Sequence, residues 1–175
     1  MFEKLIDFIL SLGRDLWPVV VIDQFDEGII LRFGKLYKPV SAGLHFKIPF
    51  VDQVLTTTIV TTTMHLNSQS LTTLDGKGIV LRGVVKYKIK DVEKFLLNVY
   101  DAKDAIGDVS MGSIKAVVMN KNWADLLSNE IDELITKEIK AECRKWGVDI
   151  SKVTLTDLAI VKSIRLFNES SFVDN

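Results

Sequence analysis

Few residues in this chain are of types that could carry out catalysis or bind a metal. The 175 residues include two histidines, His45 and His65, and one cysteine, Cys143. Three such residues are too few for a typical zinc site, which takes four ligands. The sequence contains no Gly-x-Ser-x-Gly, Walker A, His-Glu-x-x-His or Cys-x-x-Cys pattern. We therefore expect no metal, no cofactor and no enzymatic activity.

One segment has the composition of a phosphate-binding loop. Asp75-Gly-Lys-Gly78 is rich in glycine, but it lacks the spacing and the following helix of a Walker loop. Because β-type residues flank it at 69–74 and 78–89, we predict a tight hairpin turn. His45 lies between Leu44 and Phe46 in a predicted strand, where we expect a hydrogen-bonded structural histidine. Cys143 lies on the apolar face of a predicted helix, where core packing is expected.

The first half of the chain predicts the strands that position these residues. After Trp17-Pro18, residues 19–22 and 28–33 are apolar and β-branched, with turn residues between them, so a hairpin is predicted. A strand over 44–48 ends at Pro49, which cannot donate a ladder hydrogen bond. Residues 51–64 contain six threonines among Val, Leu and Ile, which predicts one long, half-exposed strand.

The second half changes to helical periodicity. Asp91 is predicted to cap a helix through residue 98, and further helices are expected over 102–120 and 123–127. The longest helix, 130–146, would be capped by Ser128 or Asn129 and ended by Gly147. A strand over 153–164 follows. The order of strands, helices and a closing strand predicts an α+β fold.

Residues 1–17 predict an amphipathic helix. An apolar stripe at helical spacing is formed by Phe2, Leu5, Ile6, Ile9, Leu12 and Leu16. Charged residues interrupt this segment before it reaches the roughly 20 apolar residues of a membrane span. The stripe therefore fits either a helix lying in the membrane interface or a helix packed on the chain's own core. Trp17, beside Pro18, has a typical position for an interfacial tryptophan.

The charge of the chain bears on its possible binding partners, and its cysteine content bears on the cellular compartment. The net charge is −1 and no basic run is present, which argues against nucleic-acid binding. A lone cysteine suits a reducing compartment.

Several segments, in this order, resemble the SPFH or band 7 superfamily of stomatin, prohibitin and flotillin. The strongest is Gly-Leu-His-Phe-Lys-Ile-Pro-Phe at 43–50, and Gly28 with Gly34-Lys35 precedes it. The turn at Asp75, the strand at 84–89 and the segments at 146–150 and 157–158 complete the pattern. The family-motif residues are Gly28, Gly34, Gly43, Leu44, His45, Phe46, Pro49, Phe50 and Asp75.

The resemblance implies an SPFH domain over residues 18–165, with a β-rich lobe at 18–74 and an α/β lobe at 75–165. It also implies attachment to membrane lipid, expected here on the cytoplasmic face, and assembly into homo-oligomers or rings. In that family a long Ala/Glu-rich helix typically follows the domain, whereas residues 166–175 form a polar tail without heptads. We therefore expect contacts between globular domains to build any ring.

Three functions remain open at this point. The first is a membrane-associated scaffold that organises a membrane microdomain. The second is a regulatory partner of a membrane-bound ATP-dependent protease or channel, which would share those properties. The third is a soluble ligand-binding domain or enzyme with its first helix packed on its core. The missing catalytic constellation counts against the third.

Overall fold

The computed structural model describes residues 17–128 and 130–161, and within these ranges the chain is a mixed α+β structure. The predicted fold class is confirmed. The strands are β1 (Val19–Ile22), β2 (Asp26–Arg32), β3 (Lys35–Val40), β4 (Gly43–Phe46), β5 (Asp52–Thr58), β6 (Thr62–His65), β7 (Gln69–Thr72), β8 (Gly78–Ile89) and β9 (Val148–Ile160). The helices are α1 (Val92–Leu97), α2 (Ala102–Met119), α3 (Trp123–Leu126) and α4 (Glu130–Cys143), which a 3-10 turn, Arg144–Trp146, extends.

Strands β1 to β5 form two small antiparallel sheets. In one, β2 lies between β3 and β5, and in the other β1 pairs with β4. The predicted hairpin between β1 and β2 is therefore wrong. A turn does form there, with the Asp26 amide donating to the Asp23 carbonyl at 3.0 Å. However, pairing β1 with β4 lets Ile22 pack with Ile30 and Val40 in one buried cluster.

Two further strand predictions are corrected. Strand β3 was not predicted because lysines and Pro39 occupy it, but an edge strand tolerates both. The single strand predicted over 51–64 is two strands, β5 and β6, which belong to different sheets. The threonine-rich pattern continues across the break, so periodicity alone could not locate it.

The larger sheet is built on β8. Strand β9 pairs antiparallel along one edge of β8, while β6 and β7 share the other edge. The pairing of β7 with β8 confirms the tight turn predicted at 75–78. Strand β9 begins at Val148, five residues before its predicted start at residue 153, and the described structure keeps it as a strand through Ile160.

Helices α1 to α4 cover the inner face of this sheet. The predicted capping of α1 is confirmed, since the Asp91 carboxylate accepts from the Lys94 amide at 3.1 Å. The isoleucines of α2 and α4 share one buried cluster with the inward residues of β8 and β9, and Cys143 is buried in it as expected. Gly147 ends the last helix with a φ of 75°, as predicted.

The described residues do not test two predicted features, the N-terminal amphipathic helix and the division of the domain into two lobes. The amphipathic helix is predicted over residues 1–17, and residues 1–16 are outside the described residues, as are Asn129 and the tail at 166–175. The division into lobes at residue 74 also stays a prediction. Strands β6 and β7, which precede that position, pair with β8, which follows it.

Candidate functional site

Large apolar side chains are exposed at one end of the β1–β5 region. The exposed fractions are 66% for Trp17, 80% for Phe33, 73% for Phe46 and 80% for Phe50. We call these four residues the aromatic tip. Val21, Leu44 and Ile48 are also exposed beside it. Scattered exposed leucines are ordinary, but several exposed rings in contiguous segments indicate a binding surface.

The pairing of β1 with β4 explains why Val21, Leu44 and Phe46 are exposed. Val19 lies opposite Phe46, and Val21 lies opposite Leu44, so these four share one face of the two-stranded sheet. The opposite face carries Ile22, which is buried. No other described strand or helix covers the first face. A strand pair with one apolar face buried and the other exposed is available to a partner on the exposed side.

Phe33 and Phe50 are exposed for a different reason. Both have positive φ angles, 51° and 64°, in the left-handed region that bulky residues rarely adopt. Each such residue costs about 1–3 kcal/mol, and strain of this kind clusters at functional sites. The Phe33 amide donates to the Val51 carbonyl at 3.1 Å, which joins the two loops. Both phenylalanines line one groove with Val20 and Lys47.

A buried carboxylate fixes the loop that carries Phe50. Arg32 donates to both oxygens of Asp52, from Nε at 2.8 Å and from a terminal nitrogen at 2.9 Å. The Ile48 amide donates to the same carboxylate at 2.9 Å, so Asp52 bridges strand β2 and the start of the loop. The Arg32 hydrogen bonds, aided by the Ile48 amide, lower the pKa of Asp52 to about 2. The carboxylate is therefore charged at neutral pH.

The β1 and β4 segments are joined at the same end. The Lys47 amide donates to the Pro18 carbonyl at 2.9 Å, which fixes the residue after Trp17 to the segment between Phe46 and Phe50. His45 Nε2 donates to the Ser41 carbonyl at 2.7 Å, which is the hydrogen-bonded arrangement expected for it. These bonds hold the backbone of the aromatic tip.

The family-motif residues fall in three places. Leu44, Phe46, Pro49 and Phe50 lie in or beside the aromatic tip, while Gly34 follows Phe33 in its turn and Gly43 begins β4. Gly28 lies within β2, where a Cβ would collide with the Leu55 carbonyl of β5. A glycine there allows the two strands to approach.

Asp75 is separate from the tip. Its carboxylate accepts from the Thr73 hydroxyl, from Lys77 at 3.0 Å and from the Trp123 amide at 3.2 Å. The Thr73 and Lys77 hydrogen bonds lower its pKa to about 2. Asp75 thus ties the β7–β8 turn to the start of α3. This arrangement accounts for the residue as a structural one.

Trp17 and Phe50 were named from the sequence, and Phe33 was not. Trp17 was predicted to contact membrane, Phe50 was a family-motif residue, and the structure places both in the aromatic tip. The signal for Phe33 was present in Arg-Phe-Gly-Lys, an aromatic residue immediately before the turn glycine that follows a strand. The stripe from Phe2 to Leu16 lies outside the described residues and stays a prediction.

Among residues 17–128 and 130–161, no helix has the length and apolar content needed to cross a bilayer. The same residues contain no cluster of three or more metal-ligating side chains.

The described residues form an α+β domain whose β-rich part exposes several large rings, and this is the fold class expected from the sequence resemblance. The chain belongs to the SPFH domain / Band 7 family, whose family model matches residues 20–165.

Similar proteins come from archaea and bacteria. An uncharacterised protein of Methanocaldococcus jannaschii is 26% identical over 142 residues, which is 80% of this chain and 71% of that protein. Protein HflK of Haemophilus influenzae is 27% identical over 130 residues, or 73% of this chain and 32% of HflK. HflC of Escherichia coli, named a modulator of FtsH protease, is 30% identical over 133 residues, or 72% of this chain and 37% of HflC. The chain thus spans about a third of these two bacterial proteins.

Proposed function

We propose that this protein is a membrane-associated scaffold of the SPFH family that self-assembles and organises a membrane microdomain from the cytoplasmic face. The observation that carries the proposal is the aromatic tip, which presents four large rings to solvent. Fully burying one phenylalanine in an apolar medium is worth about 1.5–3 kcal/mol. Insertion of two rings would therefore supply roughly 3 kcal/mol or more of membrane affinity.

The segment at residues 1–17 adds to this surface in the proposal. Its apolar stripe would lie in the membrane interface. The segment ends at Trp17, which belongs to the aromatic tip, and the carbonyl of the next residue, Pro18, accepts a hydrogen bond from the Lys47 amide. A single shallow attachment of this kind is reversible. Several copies in one oligomer would bind much more tightly, because each bound subunit raises the effective concentration of the next.

Flotation of the full chain with phosphatidylcholine vesicles tests the proposal. Phe33→Asn with Phe50→Asn removes both rings, while asparagine tolerates the left-handed backbone. We expect about a hundredfold loss of vesicle affinity, from roughly 3 kcal/mol. Phe25→Asn is the matched control, since Phe25 is 60% exposed but lies at the opposite end of β2. Unaltered flotation of the double variant contradicts the role of the tip.

The N-terminal segment and the assembly need separate measurements. Changing Leu5, Ile9 and Leu12 together to Asp should strongly reduce recovery with vesicles while the domain stays folded, as circular dichroism can check. Sizing of the detergent-extracted full chain should give a particle much larger than 19.7 kDa. A monomer that fails to float would instead favour the soluble ligand-binding domain or enzyme.

A second candidate function is regulation of a membrane-bound ATP-dependent protease. It is favoured by the 30% identity with HflC, whose name describes it as a modulator of FtsH protease. The test is to purify the tagged full chain from membranes and to measure ATP-dependent proteolysis in the purified material. Regulation is supported if a protease of this class co-purifies and its rate of ATP-dependent proteolysis changes when the chain is removed. If the preparation contains no such protease, the scaffold function is the one that remains proposed.

A further inference from the structure

The aromatic tip is bordered by two lysines, of which Lys35 is exposed and Lys47 is half-buried. Lys35 begins β3, two residues after Phe33, and Lys47 lies between Phe46 and Ile48. We propose that Lys35 and Lys47 make the aromatic tip selective for anionic phospholipid headgroups. This inference rests on the proposed membrane association and adds the lipid class to it. Rings inserted beside lysines place the ammonium groups at the level of the headgroups, because lysine stems lie along apolar surface while their charges stay in water.

The Asp52 carboxylate, which lines the same groove as Lys47, already has hydrogen-bond partners. Asp52 is buried and accepts two hydrogen bonds from Arg32 and one from the Ile48 amide. The Arg32 guanidinium neutralises its charge, so Asp52 does not form an ion pair with Lys35 or Lys47. Among the described residues, neither Lys35 nor Lys47 has a carboxylate within 4 Å.

The other acidic residues of this region lie at the opposite end. Residues 17–58 contain three more carboxylates, and all of them precede or begin β2: Asp23, Asp26 and Glu27. Asp26 pairs with Thr58 at one end of β2, whereas Arg32 pairs with Asp52 at the other. Six residues of strand separate these ends by about 20 Å. That distance exceeds the Debye length of about 8 Å at physiological ionic strength, so the charges within residues 17–58 leave a local positive charge at the tip.

The attraction must be local, because the whole chain has a net charge of −1. The summed electrostatic field of the whole chain would therefore not attract the protein to an anionic surface. A basic residue close to such a surface contributes about fivefold in binding, which corresponds to about 1 kcal/mol. Two lysines at the tip should therefore raise affinity for anionic vesicles roughly 25-fold over neutral ones.

The test compares vesicles of phosphatidylcholine alone with vesicles in which one third of the lipid is phosphatidylglycerol. The full chain is measured beside Lys35→Gln with Lys47→Gln. The matched control is Lys86→Gln with Lys88→Gln, which removes two exposed lysines from the outer face of β8. We expect the wild-type preference of roughly 25-fold to fall to a few-fold in the tip variant and to persist in the control. High salt should reduce the same preference.

The outcomes separate this inference from the proposed function. Equal binding of the wild type to both vesicles overturns lipid selectivity and leaves membrane association standing. A preference retained by the tip variant, or lost equally in the control, also overturns it. Failure of the wild type to bind either vesicle overturns both. In that last case, lipid-free particles that dissociate on Phe33→Asn with Phe50→Asn would show that a second copy covers the tip.

Discussion

The β1–β5 region and the region of β6 to β9 with helices α1 to α4 use apolar residues in opposite ways. The second buries an extensive cluster that includes Ile106, Ile114, Ile135 and Ile139, all fully inaccessible. In the first, the buried cluster is Ile22, Ile30 and Val40, with Val54 packed against it. Yet the first region carries the four exposed rings of the aromatic tip. Hydrophobic content alone therefore does not reveal whether a segment builds a core or a binding surface.

The backbone follows the same contrast. In the part of the molecule formed by β6 to β9 and the four helices, the described residues with positive φ are glycines, such as Gly147. These glycines end elements without backbone strain. In the β1–β5 region Phe33 and Phe50 also adopt this conformation, at a cost to stability. The difference indicates that the first region gives up some stability to present its rings.

Truncating the large core should have the greatest effect on stability. Ile135→Ala leaves a cavity at a fully buried position, and we expect a loss of about 2–5 kcal/mol in the free energy of unfolding. Leu134→Ala, one residue away on the exposed side of α4, should change it by no more than about 0.5 kcal/mol. Urea unfolding measures both. Similar losses at the two positions would contradict the assigned core.

Two glycines with nearly the same φ test the surroundings of each region. Gly147 and Gly34 have φ values of 75° and 74°, so alanine should cost about 1–2 kcal/mol at either from backbone strain. At Gly147 the added Cβ also collides with the Asp91 carbonyl, whereas at Gly34 nothing lies within 4 Å. Overpacking adds about 1–3 kcal/mol. Equal costs in thermal or urea unfolding would contradict the packing described at Gly147.

Acid should weaken the support of the Phe50 loop. Arg32 holds the pKa of Asp52 at about 2, below its ordinary value of 3.8. Because the folded-state pKa is lowered, the stability from Asp52 is fully present above about pH 4 and is lost as the pH falls through 2. The difference in unfolding free energy between the wild type and Asp52→Asn should therefore shrink over that interval. A difference that is independent of pH would contradict the ion pair. Asp75→Asn, which removes a carboxylate of similarly low pKa in the other region, gives a reference curve.

The smallest expected effect has an unusual sign. Phe50→Asn removes an exposed ring and reduces left-handed strain, so we expect stability to stay constant or to rise by about 0.5 kcal/mol. Phe46→Asn is the control, because Phe46 is similarly exposed but lies in strand β4, where asparagine is unfavourable. Differential scanning fluorimetry can rank the two. A large loss at Phe50 would mean that its ring packs in a core.

Most helices and their ends were predictable from the sequence because their signals are local. Asp91 before an apolar repeat and Gly147 after another gave the correct ends of α1 and of the last helix. The Asp-Gly-Lys-Gly turn likewise gave the β7–β8 hairpin. In each case neighbouring residues determine the structure.

The partners of the early strands were not predictable in this way. Its apolar, β-branched composition identifies β1 as a strand, but the choice of β4 over β2 depends on packing of Ile22 with residues far along the chain. The aromatic tip has the same origin. Phe33 and Phe50 are 17 positions apart, and a hydrogen bond from the Phe33 amide to Val51 brings their loops together. Only the folded arrangement distinguishes these rings from core residues.

A fluorescent probe at Phe50 would test the membrane role of the aromatic tip most directly. Phe50→Cys can be labelled selectively, because Cys143 is buried and burial raises the pKa of its thiol to about 11. Leu134→Cys provides the comparison site on the helical region. With vesicles, we predict a blue shift at position 50, quenching by lipid-borne quenchers there, and no change at position 134. A bound protein whose probe at position 50 stays in water, or responds no more than the probe at 134, would contradict the proposal.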